Sequence, residues 1–238
     1  MKRYAKQVLV REIGLLGQQK ISDSRVVIIG AGGLGTSLAT TLAGMGVGQL
    51  GIVDFDRVEL SNLHRQFTYT EKELGRKKVA VLAEFLEERN PDCQIEVYEE
   101  AFTGERAEEI LKKYDVVCDC TDNLAVRMLL DETAFRLSKP LVYAAVKDWE
   151  GYVTVLNYNK RVRLSDVFPS ITDPDEEIGS CAVAGIIPST CGLVANVQAA
   201  EVLKIILRLP VQLDGAIWCT NSLNNVTRIL KLNLSDKE

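Results

Sequence analysis

The sequence predicts an α/β protein with a doubly wound, mainly parallel sheet, helices on both of its faces and a mixed or antiparallel C-terminal part. Three observations lead to this prediction. The apolar, β-branched run 26–29 ends at a glycine and is typical of a buried parallel strand. An apolar helical pattern begins near Leu34, and a second apolar strand follows it and ends at an aspartate. A strand, a helix and a strand in this order form the unit from which parallel sheets are built.

The turn between the first strand and the helix has the pattern G-x-G-x-x-G. Its glycines are Gly30, Gly32 and Gly35, and Gly33 lies inside the pattern. Residues without side chains allow a tight turn and let backbone N–H groups approach a phosphate at a helix N-terminus. Asp54 ends the second strand, 19 residues after Gly35, where a carboxylate can accept hydrogen bonds from a ribose. The pattern predicts a Rossmann-like nucleotide site; the structural alternative is close helix–strand packing and a strand-capping acid.

The loop after Asp54 contains charges of both signs. Residues 54–66 read D-F-D-R-V-E-L-S-N-L-H-R-Q and include the polar residues Asp56, Ser61, Asn62 and Arg65. A hydride-transfer enzyme has no evident use for this cluster, whereas a triphosphate and its metal ion need both signs of charge nearby. The loop therefore favours ATP-like ligands over a dinucleotide.

The same loop resembles a known family. The pattern D-F-D-x-V-x-x-S-N-L-x-R-Q after G-x-G-G-L-G is similar to the ThiF/MoeB/HesA group, whose members are relatives of the ubiquitin-activating enzymes. These proteins use ATP to adenylate the C-terminal glycine of a small ubiquitin-fold sulfur carrier. With the later motifs, the resemblance covers most of the chain. We therefore expect a single nucleotide-binding domain over residues 1–238, with a helical arm over 1–22 and a flexible crossover loop over 157–180.

Two later segments resemble motifs of this group that contact ATP and magnesium. Residues 75–78 match G-x-x-K, which implies that Lys78, together with Arg65, contacts the phosphates. Residues 119–123 match D-x-x-D-N, which implies that Asp122 binds magnesium. The structural alternative for Asp122 is the N-cap of the following helix, a role that aspartate fills well.

The predicted topology brings these segments together. Ligands of a doubly wound sheet gather outside the carboxyl ends of the strands. Asp119, Asp122 and Asn123 follow one predicted strand, and Asp54 follows another. We therefore expect all four side chains to project over the same crevice as Gly33.

Two further residues are implied by the resemblance alone. Lys6 stands where the group has an arginine that reaches the phosphates of the neighbouring subunit, and lysine lacks the planar fork of arginine. Arg3 or Arg11 could compensate, and a solvated basic end is the alternative. Cys181 matches a cysteine that in ThiF-like members can form a transient thioester or acyl-disulfide with the carrier. A structural cysteine is the alternative there.

The cysteines argue against a zinc site. None of the six forms a C-x-x-C pair, whereas many members of the group hold a structural zinc ion with two such pairs. Residues 162–165 read V-R-L-S where the first pair would be expected, and Cys219 stands alone near the second. We predict ATP and Mg²⁺ as cofactors and no zinc.

Composition limits the other partners. A chain of 238 residues, 47% hydrophobic and 26% charged, can build one sizeable α/β domain but not a second large one. The net charge is −5 and no basic run stands out, so neither a nucleic-acid nor a membrane partner is indicated. The charged N-terminus lacks the apolar core of a signal peptide, and no stretch approaches about 18 uncharged apolar residues. We expect a cytoplasmic protein, and the resemblance implies a homodimer.

The remaining hydrophobic pattern predicts further elements along the chain. Gly14 and Gly17 should interrupt the helical arm. A helix should begin near Gly75 and end at Asn90. The other predicted helices cover 104–113, 124–137 and 191–209, and the other strands cover 95–98, 140–146, 152–156, 216–220 and 227–232.

The resemblance implies an adenylyltransferase for a sulfur carrier with a Gly-Gly C-terminus, in thiamine or molybdopterin biosynthesis. Attack of the carrier carboxylate on ATP releases pyrophosphate and gives an acyl-adenylate; no general base is needed, because the carboxylate is already ionised. Three alternatives remain open. They are an NAD-dependent Rossmann oxidoreductase, a non-catalytic dimeric scaffold that binds a ubiquitin-fold protein, and a relative that acts on modified tRNA.

Overall fold

The computed structural model describes residues 2–169 and 185–234. Eight strands form one sheet in the order β3-β2-β1-β4-β5-β6-β7-β8. Neighbouring strands from β3 to β5 are parallel, and those from β5 to β8 are antiparallel. This confirms the predicted mainly parallel sheet with an antiparallel C-terminal part. The strands are β1 Arg25–Ile29, β2 Gln49–Val53, β3 Gln94–Tyr98, β4 Val116–Asp119, β5 Leu141–Lys147, β6 Glu150–Leu156, β7 Ala216–Asn221 and β8 Val226–Lys231.

Helices pack on both faces of this sheet. They are α1 Gly14–Ser22, α2 Gly33–Met45, α3 Lys78–Arg89, α4 Gly104–Lys112, α5 Leu124–Arg136, α6 Leu164–Val167 and α7 Pro188–Leu207. One hydrophobic cluster contains side chains of α2, α3 and α7, and a second contains those of α4 and α5. Strand β1 contributes Val26 and Ile28 to the first cluster and Val27 and Ile29 to the second. Because successive side chains of a strand point to opposite faces, a strand between two helical layers is apolar throughout.

The helix α7 lies in the core, as its apolar sequence predicts. Among the described residues it is the one helix long and apolar enough to cross a membrane, yet 56% of that apolar window is buried inside the protein. Its buried Gln198 donates hydrogen bonds to the carbonyls of Asp119 (3.0 Å) and Val142 (2.9 Å), which end or lie within β4 and β5. The helix therefore fixes the strand ends that border the site described below.

The start of α3 differs from the prediction. Gly75 has φ +81°, which ends a short 3-10 helix, Glu71–Glu73, instead of starting an α-helix. Lys77 then pairs with Arg57 in an isolated β-bridge, so its backbone is extended. The helix begins only at Lys78, which places this side chain at the first turn.

The predicted interruption of the N-terminal arm is confirmed at Gly14 and wrong at Gly17. Gly14 has φ +56° and separates the turns before it from α1, whereas Gly17 lies inside that helix. A Cβ atom at Gly17 would lie 3.1 Å from a methyl group of Leu207. The glycine therefore allows α1 to approach the end of α7 closely.

The first part of the predicted crossover loop is tied to the rest of the protein. Asn157 donates hydrogen bonds to the carbonyls of Ala134 (2.7 Å) and Lys139 (2.8 Å), at the end of α5. The short helix α6 follows, and its Leu164 is buried in the second cluster. Residues 170–180 of the predicted loop lie outside the described residues.

Candidate functional site

A cleft of about 430 Å³ opens at the carboxyl ends of β1, β2 and β4. The parallel sheet brings the loops that follow these strands to one edge, which is where ligands of such sheets bind. Most residues predicted for the nucleotide site line it, namely Gly30, Gly32, Gly33, Asp54, Asp56, Asn62, Arg65, Lys78, Asp122 and Asn123. Segments far apart in the sequence therefore meet around one cavity.

Two glycines of the turn are required by backbone packing. Gly30 has φ +102°, and a Cβ atom there would lie 2.6 Å from the carbonyl oxygen of Cys120. A Cβ atom on Gly35 would lie 1.8 Å from the carbonyl oxygen of Gly30. Gly35 lies behind the turn and does not line the cleft, so its place in the structure matches the packing alternative.

Gly33 faces the cleft and leaves room for two side chains. A Cβ atom there would lie 3.2 Å from Cys191 Sγ and 3.4 Å from Arg65 Cγ. Cys191 enters from the first turn of α7 and is buried. The missing side chain of Gly33 therefore allows a thiol and the stem of a cation to pack against the glycine turn.

Asp54 connects the glycine turn to the polar loop. Its Oδ2 accepts a hydrogen bond from the Ala31 N–H, and its Oδ1 accepts one from the Asp56 N–H, both at 2.7 Å. The hydroxyl of Tyr69 donates to the Ala31 carbonyl at 3.0 Å, which ties a later part of the loop to the same turn. Each carboxylate oxygen can accept a further bond, so Asp54 can still bind a hydroxyl in the cleft.

Two cations enter the cleft from different elements. Lys78 begins α3, its side chain is 7% exposed, and its Nζ lies 2.8 Å from Asp56 Oδ2. Arg65 lies in the loop after β2 and donates from Nη1 to the Ser61 carbonyl at 3.2 Å. Two cations therefore line the cleft near the glycine turn, and Asp56 is the counter-ion of Lys78.

Asp119 does not project into the crevice, so that prediction is wrong. Its side chain is fully buried, and its Oδ1 accepts hydrogen bonds from the N–H (2.9 Å) and hydroxyl (2.8 Å) of Thr121. Burial raises the pKa of Asp119, and Arg127, whose Nε lies 3.8 Å from Oδ2, opposes the shift. Asp119 therefore builds the turn after β4 instead of meeting a ligand.

The next two polar residues do line the cleft. The side chain of Asn123 caps α5, because its Oδ1 accepts a hydrogen bond from the Val126 N–H at 3.1 Å. The N-cap alternative for Asp122 is therefore wrong. Asp122 is exposed and lines the cleft one residue earlier.

Some residues of the cleft were missed by the sequence reasoning. They include Cys191, Glu100, Phe102, Arg127 and Gln66. Glu100 and Phe102 follow β3, which is the neighbour of β2, so the strand order was the signal that could have found them. Burial raises the pKa of the Cys191 thiol to about 11, against the opposing effect of Arg65, so this thiol is protonated at neutral pH.

Other predicted site residues are not brought to the cleft. Ser61 is exposed, and its hydroxyl lies 3.4 Å from the Asn62 amide nitrogen. Lys6 is exposed on the N-terminal arm and does not line the cleft of its own chain. Cys181 lies outside the described residues. Within residues 2–169 and 185–234, no group of three or more His, Cys, Asp or Glu side chains could hold a metal ion.

The chain is similar to a known family and to curated proteins. The model of the ThiF family matches residues 4–238. "Adenylyltransferase and sulfurtransferase MOCS3" of Anopheles gambiae is 39% identical, over 97% of this chain and 52% of that protein. "Adenylyltransferase and sulfurtransferase uba4" of Aspergillus clavatus is 44% identical, over 90% of this chain and 45% of that protein. The chain thus spans about half the length of these curated relatives.

Solved structures share the fold. The crystal structure of E. coli MccB with ATP superposes on this chain with a TM-score of 0.82 at 18% sequence identity. The superposition covers 100% of this chain and 73% of the MccB chain. The crystal structure of PaaA gives a TM-score of 0.80 at 23% identity, over 97% of this chain and 73% of its own. At these identities the likeness shows the Rossmann-type fold alone.

Proposed function

This chain belongs to the ThiF family, and on that premise we propose that it uses ATP to adenylate the C-terminal carboxylate of a ubiquitin-like sulfur carrier. One observation carries the proposal. Arg65 and Lys78 line the same cleft as Asp122 and the glycine turn, so two cations of the kind that phosphates need and an acid that suits a metal ion are found at one cavity. The adenylyltransferase names of the curated relatives support the same reaction class.

The proposed reaction joins two anions. A carboxylate oxygen of the carrier attacks the α-phosphorus of ATP, the bond to the bridging oxygen breaks, and pyrophosphate leaves. No proton is transferred, since the carboxylate is ionised and pyrophosphate leaves as an anion. Arg65 and Lys78 would neutralise the phosphates, and phosphate oxygens would replace Asp56 as the partner of the Lys78 ammonium. Fixed cations in a cleft are effective because they need no rearrangement during the reaction.

The donor set at the turn after β4 fits magnesium. Mg²⁺ is commonly held by one or two carboxylates together with substrate phosphates and water, so a full protein cage is not needed. Asp122 is an exposed carboxylate at the cleft, and Asn123 lies beside it. We assign Asp122 to the metal ion, which would supply further charge neutralisation at the phosphates. Asp54 and Asn62 are assigned to the ribose and the nearby phosphate.

The proposal extends to a homodimer and to a covalent step. Leu9 and Leu16 on the arm are 76% and 83% exposed, which is apolar surface that a second copy would cover. Lys6 would then reach the phosphates in the neighbouring cleft. Cys181 would accept the activated glycine as a thioester, with AMP as the leaving group. A cytoplasmic location and a thiamine or molybdopterin route also remain predictions.

The NAD-dependent oxidoreductase is not favoured by the family assignment. It would also leave Arg65, Lys78 and Asp122 without a common purpose. Pyrophosphate exchange distinguishes the other two alternatives, the non-catalytic scaffold and the tRNA-directed relative, from the proposed enzyme. A scaffold would bind the carrier without exchanging pyrophosphate, and a tRNA-directed enzyme would exchange it only with tRNA.

Exchange of labelled pyrophosphate into ATP tests the proposal directly. We expect exchange with Mg²⁺ and a cognate ubiquitin-fold protein ending in Gly-Gly, and none when the carrier lacks its last glycine. Asp122→Ala should lower exchange about a hundredfold or more, the effect of losing a group that stabilises charge in the transition state. Asp115→Asn is the matched control, because Asp115 lies before β4, is exposed and pairs with Arg25. Normal exchange by Asp122→Ala would refute the assignment.

A further inference from the structure

The cleft has two chemically different ends. Beside the glycine turn it contains the cations Arg65 and Lys78. On the other face of the sheet, Ile29, Val53 and Phe102 line the cleft and are buried in the second hydrophobic cluster. Arg127 also lines the cleft on this face, and its guanidinium donates to the hydroxyl of Tyr143 at 2.8 Å. Val126 lines the cleft as well and packs against that cluster. The first end suits a charged group and the second suits a flat apolar one.

A nucleoside triphosphate has the same division. Its phosphates require the cations, so Arg65 and Lys78 fix one end of the ligand. The base then lies toward Phe102 and Val126, where apolar side chains can pack on its faces. Phe55 lines the same cleft and is 60% exposed, so its ring is available to stack on a base. Any choice between bases must come from polar atoms at this end.

Glu100 lines the cleft and lies two positions before Phe102 in the sequence. Its carboxylate is held by Arg106: Nε donates to both oxygens at 3.1 Å, and Nη2 donates to Oε1 at 3.0 Å. The Glu100 side chain remains 34% exposed. A carboxylate offers about four acceptor positions, so these three hydrogen bonds leave it able to accept another.

We propose that Glu100 is a specificity-determining residue that accepts a hydrogen bond from the exocyclic 6-amino group of adenine, and that Arg106 is its positioning residue. The inference rests on the proposed use of ATP and goes beyond it, because it names the group that selects the base. An ionised carboxylate only accepts hydrogen bonds. It therefore favours a base with an amino group at position 6 over one with a carbonyl oxygen, which would leave two acceptors facing each other.

Competition binding in the absence of any carrier tests the inference. A fluorescent ATP analogue is displaced by ATP, by purine riboside triphosphate, which has only hydrogen at position 6, and by inosine triphosphate, which has a carbonyl there. We expect the wild-type protein to prefer ATP over either analogue by about tenfold, since a hydrogen bond to a charged group contributes about that factor. Glu100→Ala should bind all three nearly equally.

Three further variants separate recognition from general damage. Glu100→Gln keeps the size of the side chain and adds a donor, so it should shift the preference toward inosine triphosphate. Arg106→Ala should weaken the preference for ATP while leaving the affinity for purine riboside triphosphate unchanged, which a merely structural role would not do. Glu109→Gln is the matched control: Glu109 also pairs with Arg106 but does not line the cleft, so the preference should stay at the wild-type value.

The outcomes are distinct. The inference is overturned if the wild-type protein does not distinguish ATP from purine riboside triphosphate, or if Glu100→Ala and Glu100→Gln keep the wild-type preference. Should no triphosphate bind at all, the inference and the proposed function are both wrong. Selective binding of ATP without pyrophosphate exchange would support the role of Glu100 and contradict the adenylation reaction. Thermal unfolding of each variant shows whether the protein is folded; if Glu100→Ala is not, Glu100→Gln decides.

Discussion

Several ion pairs among the described residues bury one of their charges, and two of these pairs bury opposite partners. In the cleft, Lys78 Nζ lies 2.8 Å from Asp56 Oδ2; the lysine side chain is 7% exposed and the aspartate 47%. Between α5 and α6, Arg163 Nε lies 2.8 Å from Asp131 Oδ2; here the aspartate is 3% exposed and the arginine 25%. The cation is the buried group at the cleft, whereas the anion is the buried group at the second pair.

The surroundings of the two pairs differ as well. Asp131 also accepts a hydrogen bond from the Leu164 N–H at 3.2 Å, and Arg163 also donates to Glu132 at 3.1 Å. The Arg163 guanidinium lies 4.3 Å from the centroid of the Phe135 ring. This pair is enclosed by protein groups that join α6 to α5. The Lys78 ammonium has three N–H donors, lines a cleft, and has a half-exposed partner that water can solvate if the pair separates. We infer that the first pair supplies a cation for a ligand and the second stabilises the fold.

The largest effect that would test this contrast is expected for Lys78→Met. Methionine preserves most of the buried volume and removes the charge, so the cation proposed to bind the phosphates is lost. We expect pyrophosphate exchange to fall about a hundredfold to a thousandfold, the range for removing one group that stabilises transition-state charge. The free energy of unfolding should change by about 1 kcal/mol or less, because Asp56 remains solvated. Exchange kinetics and urea unfolding measure the two quantities.

Lys77→Met is the control for this variant. Lys77 precedes Lys78, donates to the Phe55 carbonyl at 2.8 Å and does not line the cleft. Its loss should alter exchange less than about threefold, a surface-sized effect. If Lys78→Met lowered stability by several kcal/mol and left exchange per folded molecule unchanged, the two ion pairs would have the same structural role.

The opposite result is expected for Arg163→Leu. Removing the guanidinium leaves Asp131 buried without its cation, so we expect the free energy of unfolding to fall by about 2–3 kcal/mol. Exchange per folded molecule should be close to that of the wild-type protein. Arg161→Leu is the matched control, because Arg161 stacks on the same Phe135 ring at 4.3 Å but is exposed at the protein surface. Equal losses in the two variants would mean that ring stacking, and not the ion pair, stabilises this region.

The pH dependence sharpens the prediction for this pair. Burial raises the pKa of Asp131 above its ordinary value, and Arg163 opposes the shift. The native state therefore binds the proton more tightly than the unfolded state does. The contribution of Asp131 to the free energy of unfolding is fully present below its ordinary pKa, about 3.9, and is lost as the pH rises through its native pKa. Without Arg163 the native pKa should rise further. The stability loss of Arg163→Leu should thus be smaller at pH 4 than at pH 7; an equal loss at both values would contradict it.

The contrast also shows what the sequence could and could not predict. The strands and most cleft residues follow from local patterns, because a parallel sheet places the loop after each strand at one edge. The roles of two nearby acids do not follow. Asp119 pairs in register with Ile29 as the last residue of β4 and is fully buried, whereas Asp122 lies beyond the strand end and is exposed. Whether a carboxylate lies within the strand or after it determines whether it can reach a ligand. The sequence does not show at which residue β4 ends.

The sequence also does not predict contacts between segments that are far apart along the chain. Nothing in the local sequence of residues 162–165 indicates that Arg163 pairs with Asp131 on α5. Cys191 is a further example: it belongs to a helix that reads as uniformly apolar, and only the approach of α7 to α2 brings its thiol to the glycine turn. Such residues depend on packing angles, which sequence periodicity does not specify.

The smallest expected effect concerns the room beside the cleft cations. Gly33→Ala would place a Cβ atom 3.2 Å from Cys191 Sγ and 3.4 Å from Arg65 Cγ, which is closer than ordinary packing. We expect the displacement of Arg65 to raise the activation free energy of exchange by about 1 kcal/mol, which lowers the exchange rate about fivefold. Adding Cys191→Ala to Gly33→Ala should restore most of this loss, since the thiol then no longer blocks the new methyl group.

Cys191→Ala alone provides the reference for that double variant. The pKa of this thiol is about 11, so it is not a thiolate at neutral pH, and its removal should leave the exchange rate and its pH profile between about pH 7 and 9 nearly unchanged. A large loss in Cys191→Ala would show that the thiol itself takes part in the reaction. If the double variant instead stayed as slow as Gly33→Ala, the backbone at Gly33, and not the space for Arg65, would limit the reaction. Activity at the cleft would then depend on fixed packing more than on the position of the Arg65 charge, as the Arg163–Asp131 pair depends on the groups that enclose it.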